Sequence, residues 1–122
     1  MNTNLIITGG RLVDGNTDEH LDIGIADGRI VELAQPGELA LQGEAVDADG
    51  AYVMPGLVDI QVHFRTPGGE ESEDMQSGAQ GAALGGVTAC VMMPNTVPTI
   101  DNVAIVEDIK ALSLGVPCDL HS

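Results

Sequence analysis

Basic residues are nearly missing from this chain. Four lysines and arginines stand against 19 aspartates and glutamates, a formal net charge of −15 over 122 residues. Such an acidic surface repels the phosphates of nucleic acids and of anionic membranes, which excludes both as partners. Solubility and adaptation to high salt both account for the acidity, and composition does not choose between them. Cysteine is scarce too. Cys90 and Cys118 lie far apart in apolar runs with no CxxC pair, so no disulfide framework is expected, only two buried thiols in a reduced compartment. The N-terminus, MNTNLIITGG, lacks the basic region and long apolar core of a signal peptide. No apolar run approaches the roughly 20 residues of a membrane helix. The cytoplasm is the expected location. Gly78, Gly81, Gly85 and Gly86 have the wrong spacing for a phosphate loop, and no GK[ST] follows them.

What is present changes character near Pro55. Residues 1–54 read as short β-like runs separated by turn residues. Asn4 to Thr8 is apolar and β-branched, and Leu21 to Ala26 and Arg29 to Leu33 flank Asp27-Gly28. A DG pair between alternating runs predicts a hairpin, because glycine accepts the positive φ of a type I′ turn. Gln35 to Gly43 reads as a loop or a turn of helix, and Val46 to Asp49 with Ala51 to Met54 as a further strand pair. These strands are too few to close a sandwich alone, so they are read as part of a small β domain completed from elsewhere.

Residues 55–122 read as β-α-β-α-β. Leu57 to Phe64 is a strand. A helix follows with Ser72 as its N-cap, Glu73 and Asp74 in its first turn, and Gly85-Gly86 as its stop. Val87 to Met93 has the apolar character of a strand covered on both faces. Asp101 caps a second helix with Val103, Val106, Ile109 and Leu112 on one stripe, and Val116 to His121 begins a third strand. This order predicts parallel strands and right-handed crossovers. The last strand has no cover on its far edge, so the chain is read as the beginning of a larger α/β protein.

Function in such sheets gathers at the carboxyl ends of strands. Two ends here are polar. In GLVDIQVHFR, residues 56–65, strict alternation puts Val58, Ile60, Val62 and Phe64 on one face and Asp59, Gln61, His63 and Arg65 on the other. Residues two apart lie about 7 Å from each other on the same face. The second end is Pro94-Asn95-Thr96. Each residue has a plain reading beside a functional one. His63 is a satisfied surface histidine or a metal ligand. Arg65 pairs with one of the acids or clamps a substrate carboxylate. Asn95 is a turn residue or a substrate contact. Asp59 is structural or supports a ligand from behind. Glu70, Glu71, Glu73 and Asp74 read as a solvated loop and helix start, and His121 carries no expected role.

PGLVDIQVHFRTPG and SGAQGAALGGVTACVMMPNTVPTIDN resemble dihydroorotases of the cyclic amidohydrolase superfamily. The pairing of HFR with MPNT is the specific part; hydantoinases and allantoinases share PG-L-V-D and the glycine-rich helix. The resemblance implies the start of a metal-dependent (β/α)8 barrel, preceded by strands of a small β-sandwich. It implies reversible hydrolysis of dihydroorotate to N-carbamoyl-aspartate in pyrimidine synthesis, with zinc as the metal. In that pattern the first barrel strand carries His-x-His. His63 matches the second histidine, while Arg65 and Asn95 match the residues that hold the substrate carboxylate. Gln61 stands where the first histidine would be, and Thr66 where glutamate is frequent. An amide oxygen is a poor zinc ligand beside imidazole. No catalytic residue is expected within residues 1–122, and this stretch alone is expected to be inactive. The implied partners are a small substrate with a carboxylate and either a second copy or aspartate transcarbamoylase. The last belongs to a second reading, in which decay of the metal site leaves a scaffold that does no chemistry.

Overall fold

In a computed structural model, residues 4–122 are described, and they divide into two compact units, Met1–Pro55 and Gly56–Ser122.

The first unit holds two sheets. One has the order β5-β4-β1-β6, built from β1 (Leu5–Thr8), β4 (Asp22–Ala26), β5 (Arg29–Ala34) and β6 (Glu44–Asp47). The other has the order β3-β2-β7, built from β2 (Arg11–Val13), β3 (Asp18–His20) and β7 (Tyr52–Val53). The Asp27-Gly28 hairpin is present between β4 and β5, with φ of 52° and 71° at its two central residues. The pair expected from Val46 to Met54 is not formed. β6 instead runs parallel to β1, and β7 parallel to β2. The two segments bend together. Thr8 O accepts from Ala48 N at 2.8 Å, Gly9 O from Gly50 N at 2.8 Å, and Ala51 O from Arg11 N at 2.9 Å. The buried Asp22 carboxylate holds that corner to the next loop, accepting from Gly9 N at 3.3 Å and Gly37 N at 2.8 Å.

The second unit is a parallel sheet of order β10-β9-β8, with β8 (Leu57–Val62), β9 (Val87–Met92) and β10 (Asp119–His121). Helices α1 (Met75–Leu84) and α2 (Val103–Leu112) are the crossovers. The core gathers Phe64, Met75, Ala79, Cys90, Met92 and Ile109. Cys118 and Leu120 complete it, and both cysteines are free and buried. Burial and the neighbouring Cys118 thiol push the Cys90 thiol up to about 11.

Local chemistry moves several expected boundaries. Asp74, not Ser72, caps α1. Its carboxylate accepts from Ser77 N at 2.7 Å, and Ser77 Oγ accepts from Asp74 N at 3.1 Å, a reciprocal capping box. Those hydrogen bonds hold the Asp74 carboxyl below the usual range. Ser72 is taken by the preceding turn, where its hydroxyl donates to Gly69 O at 2.8 Å. Asn102, not Asp101, caps α2, its Oδ1 accepting from Ile105 N at 3.2 Å, and its Nδ2 donates to the Asp101 carboxylate at 3.0 Å. The buried stripe of α2 is Ile105 and Ile109. Val103 and Leu112 are exposed, so the face expected from spacing is rotated.

The ladder of β8 with β9 shifts register twice. Asp59 lies opposite Cys90 and Val62 opposite Met92, with a register shift between them. Val62 and Phe64 join the helix-covered core, whereas Val58 and Ile60 are 62% and 72% exposed.

The two helical glycines of α1 are expected to respond oppositely to alanine. A Cβ at Gly78 would run into the buried Phe64 ring, whereas one at Gly81 meets nothing within 4 Å. Gly81→Ala should stabilise by about 0.5–1 kcal/mol through helix propensity. Gly78→Ala should lose on the order of 1 kcal/mol net, because overpacking outweighs that gain. Urea unfolding of the two variants checks the opposite signs.

Candidate active site

The carboxyl ends of β8 and β9 lead into the loops 63–74 and 93–102, which are fastened to each other. Met93 N donates to Val62 O at 2.9 Å, and Val97 N donates to Pro67 O at 3.1 Å. Gly68, at φ +95°, packs so closely on the Val97 carbonyl that no Cβ fits there. Both loops contain a cis peptide, Thr66-Pro67 and Val97-Pro98. Thr96 is buried and closes its own turn, its hydroxyl donating to Pro98 O at 2.7 Å.

The polar residues of the two ends meet. His63 Nδ1 and Asn95 Oδ1 lie 3.0 Å apart across the gap between the strands. Arg65 and Asn95 line one small cavity of about 150 Å³ together with Gly68, Gly69 and Thr96. Among the described residues the ion pairs are Arg11–Asp18 at 2.6 Å and Lys110–Glu107 at 2.8 Å, and Arg65 is in neither. The nearest acid in its loop, Glu70, accepts from Gly68 N at 2.9 and 3.0 Å. Gln61 is exposed, and its backbone N–H donates to the Asp59 carboxylate at 2.9 Å. Asp59 therefore serves its own strand. A larger cavity of about 480 Å³ lies between the loops and α2, lined by Glu70 and Asp108 but by none of His63, Arg65 and Asn95. It is set apart from the strand-end chemistry.

Two features escape a reading of the residues alone. One is the contact between His63 and Asn95, which needs the pairing of β8 and β9. The other is Thr66, which is buried with its Oγ1 finding no partner among the described atoms; nothing in its sequence context marks it.

Zinc fits this donor set in part. His63 is an imidazole of the type zinc prefers, and Gln61 offers only a neutral amide. Among the described residues no three His, Cys, Asp or Glu side chains gather where one ion could be held. A catalytic zinc takes about three protein ligands, so the residues present do not build the site by themselves. Among the same residues no helix is long and apolar enough to cross a membrane.

The fold matches L-hydantoinase from Arthrobacter aurescens with a TM-score of 0.83 at 25% identity, covering 97% of this chain and 27% of that one. It also matches a D-hydantoinase from Bacillus sp. AR9, with a TM-score of 0.75 at 27% identity over 95% of this chain and 26% of that one. The family described as Dihydro-orotase-like matches residues 50–114, and the chain belongs to that family. The dihydroorotase of Citrifermentans bemidjiense is 50% identical over 105 residues, 84% of this chain and 24% of that protein. That of Streptococcus pneumoniae is 44% identical over 108 residues, 86% of this chain and 25% of that protein. The chain thus spans about a quarter of the length of the relatives it matches.

The fastening of the two loops generates a prediction. Gly68→Ala combines a strained φ with a Cβ forced onto a backbone carbonyl, and should cost about 1–3 kcal/mol. Gly28→Ala, strained but in open space, should cost less. Thermal unfolding of both variants compares them.

Proposed function

We propose that this chain is the amino-terminal part of a dihydroorotase, which reversibly hydrolyses the ring amide of dihydroorotate to N-carbamoyl-aspartate in pyrimidine biosynthesis. The observation that carries the reading is the convergence of Arg65 and Asn95 on one cavity beside His63, at the carboxyl end of two parallel strands. Both side chains present N–H donors, and a guanidinium is shaped to hold a carboxylate by two parallel hydrogen bonds. Arg65 and Asn95 are proposed to bind the substrate carboxylate, and His63 to be one zinc ligand. The wider frame of the proposal is a (β/α)8 barrel with a small β-sandwich, in a cytoplasmic protein. Remaining ligands and the acid–base residue are assigned to chain beyond residue 122, so the 122-residue chain alone is expected to be inactive. A purified fragment that hydrolyses dihydroorotate, and stops when chelated, would contradict this.

Gln61 favours a second reading. A neutral amide at a ligand position suits a protein that has given up its metal and acts as a scaffold, with aspartate transcarbamoylase or a second copy as partner. Substitution separates the two readings in the longer protein. Gln61→His should raise bound zinc and activity together in the hydrolase reading. In the scaffold reading, zinc should stay near zero in both forms. Elemental analysis of identically purified proteins decides between them.

Anion binding does not depend on that outcome. Arg65→Ala should weaken binding of N-carbamoyl-aspartate in the longer protein by about 1.5–3 kcal/mol, roughly tenfold or more. Isothermal calorimetry with the metal-free protein measures it, and unchanged affinity would remove Arg65 from the site.

A further inference from the structure

The contact between His63 and Asn95 fixes more than distance. The oxygen of an amide only accepts hydrogen bonds, and a neutral imidazole has one N–H and one bare nitrogen. Asn95 Oδ1 lies 3.0 Å from His63 Nδ1, and a neutral ring that bonds to that oxygen carries its proton on Nδ1. Nε2 then keeps the only lone pair of the ring. The Asn95 amide is planar, so holding its oxygen on the ring also sets the direction of its NH2 group. Among the described residues no protein acceptor takes that NH2, and Asn95 lines the same cavity as Arg65.

We infer that Asn95 is a positioning residue as well as a contact for the substrate. Its oxygen holds His63 in the Nδ1–H tautomer, while its nitrogen serves, in the cavity that Arg65 also lines, as the second donor to a carboxylate. This deepens the hydrolase reading and rests on it for the substrate. One rotation of one amide then links the histidine to the carboxylate site. Turning the amide over would put an N–H against Nδ1, move the ring proton to Nε2 and abolish the lone pair that metal ligation by His63 uses. Glu73 is the charged group that lines a small cavity with His63. It is the rival partner, since a carboxylate accepting from Nε2–H would favour the opposite tautomer.

The test reads the ring directly and needs neither metal nor turnover. Long-range ¹H–¹⁵N correlation on the ¹⁵N-labelled chain, with His63→Gln to assign the signal, reports which ring nitrogen bears the proton. The expected result is a protonated Nδ1 and a bare Nε2 in the native chain, retained in Asn95→Asp, which keeps an acceptor, and in Glu73→Gln. Asn95→Leu, which has none, should collapse the pattern to the average of two exchanging tautomers. A native signal with Nε2 protonated, a pattern unmoved in Asn95→Leu, one lost in Asn95→Asp, or one altered in Glu73→Gln would each overturn the inference. Should Asn95→Leu fail to fold, the native signal and the Asn95→Asp signal still decide it. Failure here with Arg65-dependent anion binding intact removes only the coupling. The converse result removes the substrate reading and leaves the tautomer in place.

Discussion

Between Asp59 and Val62 the strand β8 advances by three residues while its partner β9, from Cys90 to Met92, advances by two. A straight strand has period two, so Asp59 and Val62 could not both lie opposite residues of one buried face. This shift offsets the opposite one at the start of the ladder, where β8 advances one residue from Leu57 to Val58 while β9 advances two from Val87 to Ala89. The Asp59 carboxylate sits at the second shift and accepts the N–H of Gln61 at 2.9 Å. By Val62 and Met92 the two strands are back in the register in which they began. Val62 and Phe64 turn under the helices, and Phe64 closes against Met75 and Ala79. His63 is left on the exposed side, where it meets Asn95 from the neighbouring strand. Bulges beside sites commonly re-aim one side chain in this way.

Electrostatics gives the site its second constraint. In a chain with 19 acids, a free guanidinium is hard to keep. Arg11 and Lys110 are both paired with acids. Among the described residues Arg29 and Arg65 are in neither ion pair, and two of the four acids in the Arg65 loop are turned to backbone N–H groups. Glu70 is turned back onto Gly68 N, and Asp74 onto the first turn of α1.

The parallel β-α-β-α-β order was legible in the sequence, because apolar runs, helical spacing and glycine stops all agreed on it. The DG hairpin was legible for the same reason: the turn residue and its φ are local properties. The cap positions were less so. Ser72 and Asp74 are both good caps, and the choice depends on which backbone N–H each reaches once the Gly69 turn has formed. The pairing of β6 with β1 was not legible, since a turn at Asp49-Gly50 suits a local hairpin as well as it suits two parallel segments bending together. The register shift in β8 was hidden as well. Its residues alternate faultlessly, and only the ladder with β9 shows the two offsetting shifts. At the site, the residue types pointed to the two strand ends. The hydrogen bond between them required knowing that β8 and β9 are neighbours.

The two halves of the chemistry differ in how much chain they need. The anion site proposed above draws on β8, β9 and the loops that follow them, with Arg65 and Asn95 on one cavity and backbone bonds such as Val97 N to Pro67 O fastening the loops. All of it lies within residues 56–102. A metal site needs several ligands converging from different strands, and this chain offers one imidazole with an amide at the neighbouring position. Replacing that one side chain leaves the ladder, the loop fastening and the Asn95 contact untouched, because Gln61 is tied to the fold by its backbone N–H and not by its amide. Position 61 can therefore change without cost to the fold or to the cavity that Arg65 and Asn95 line.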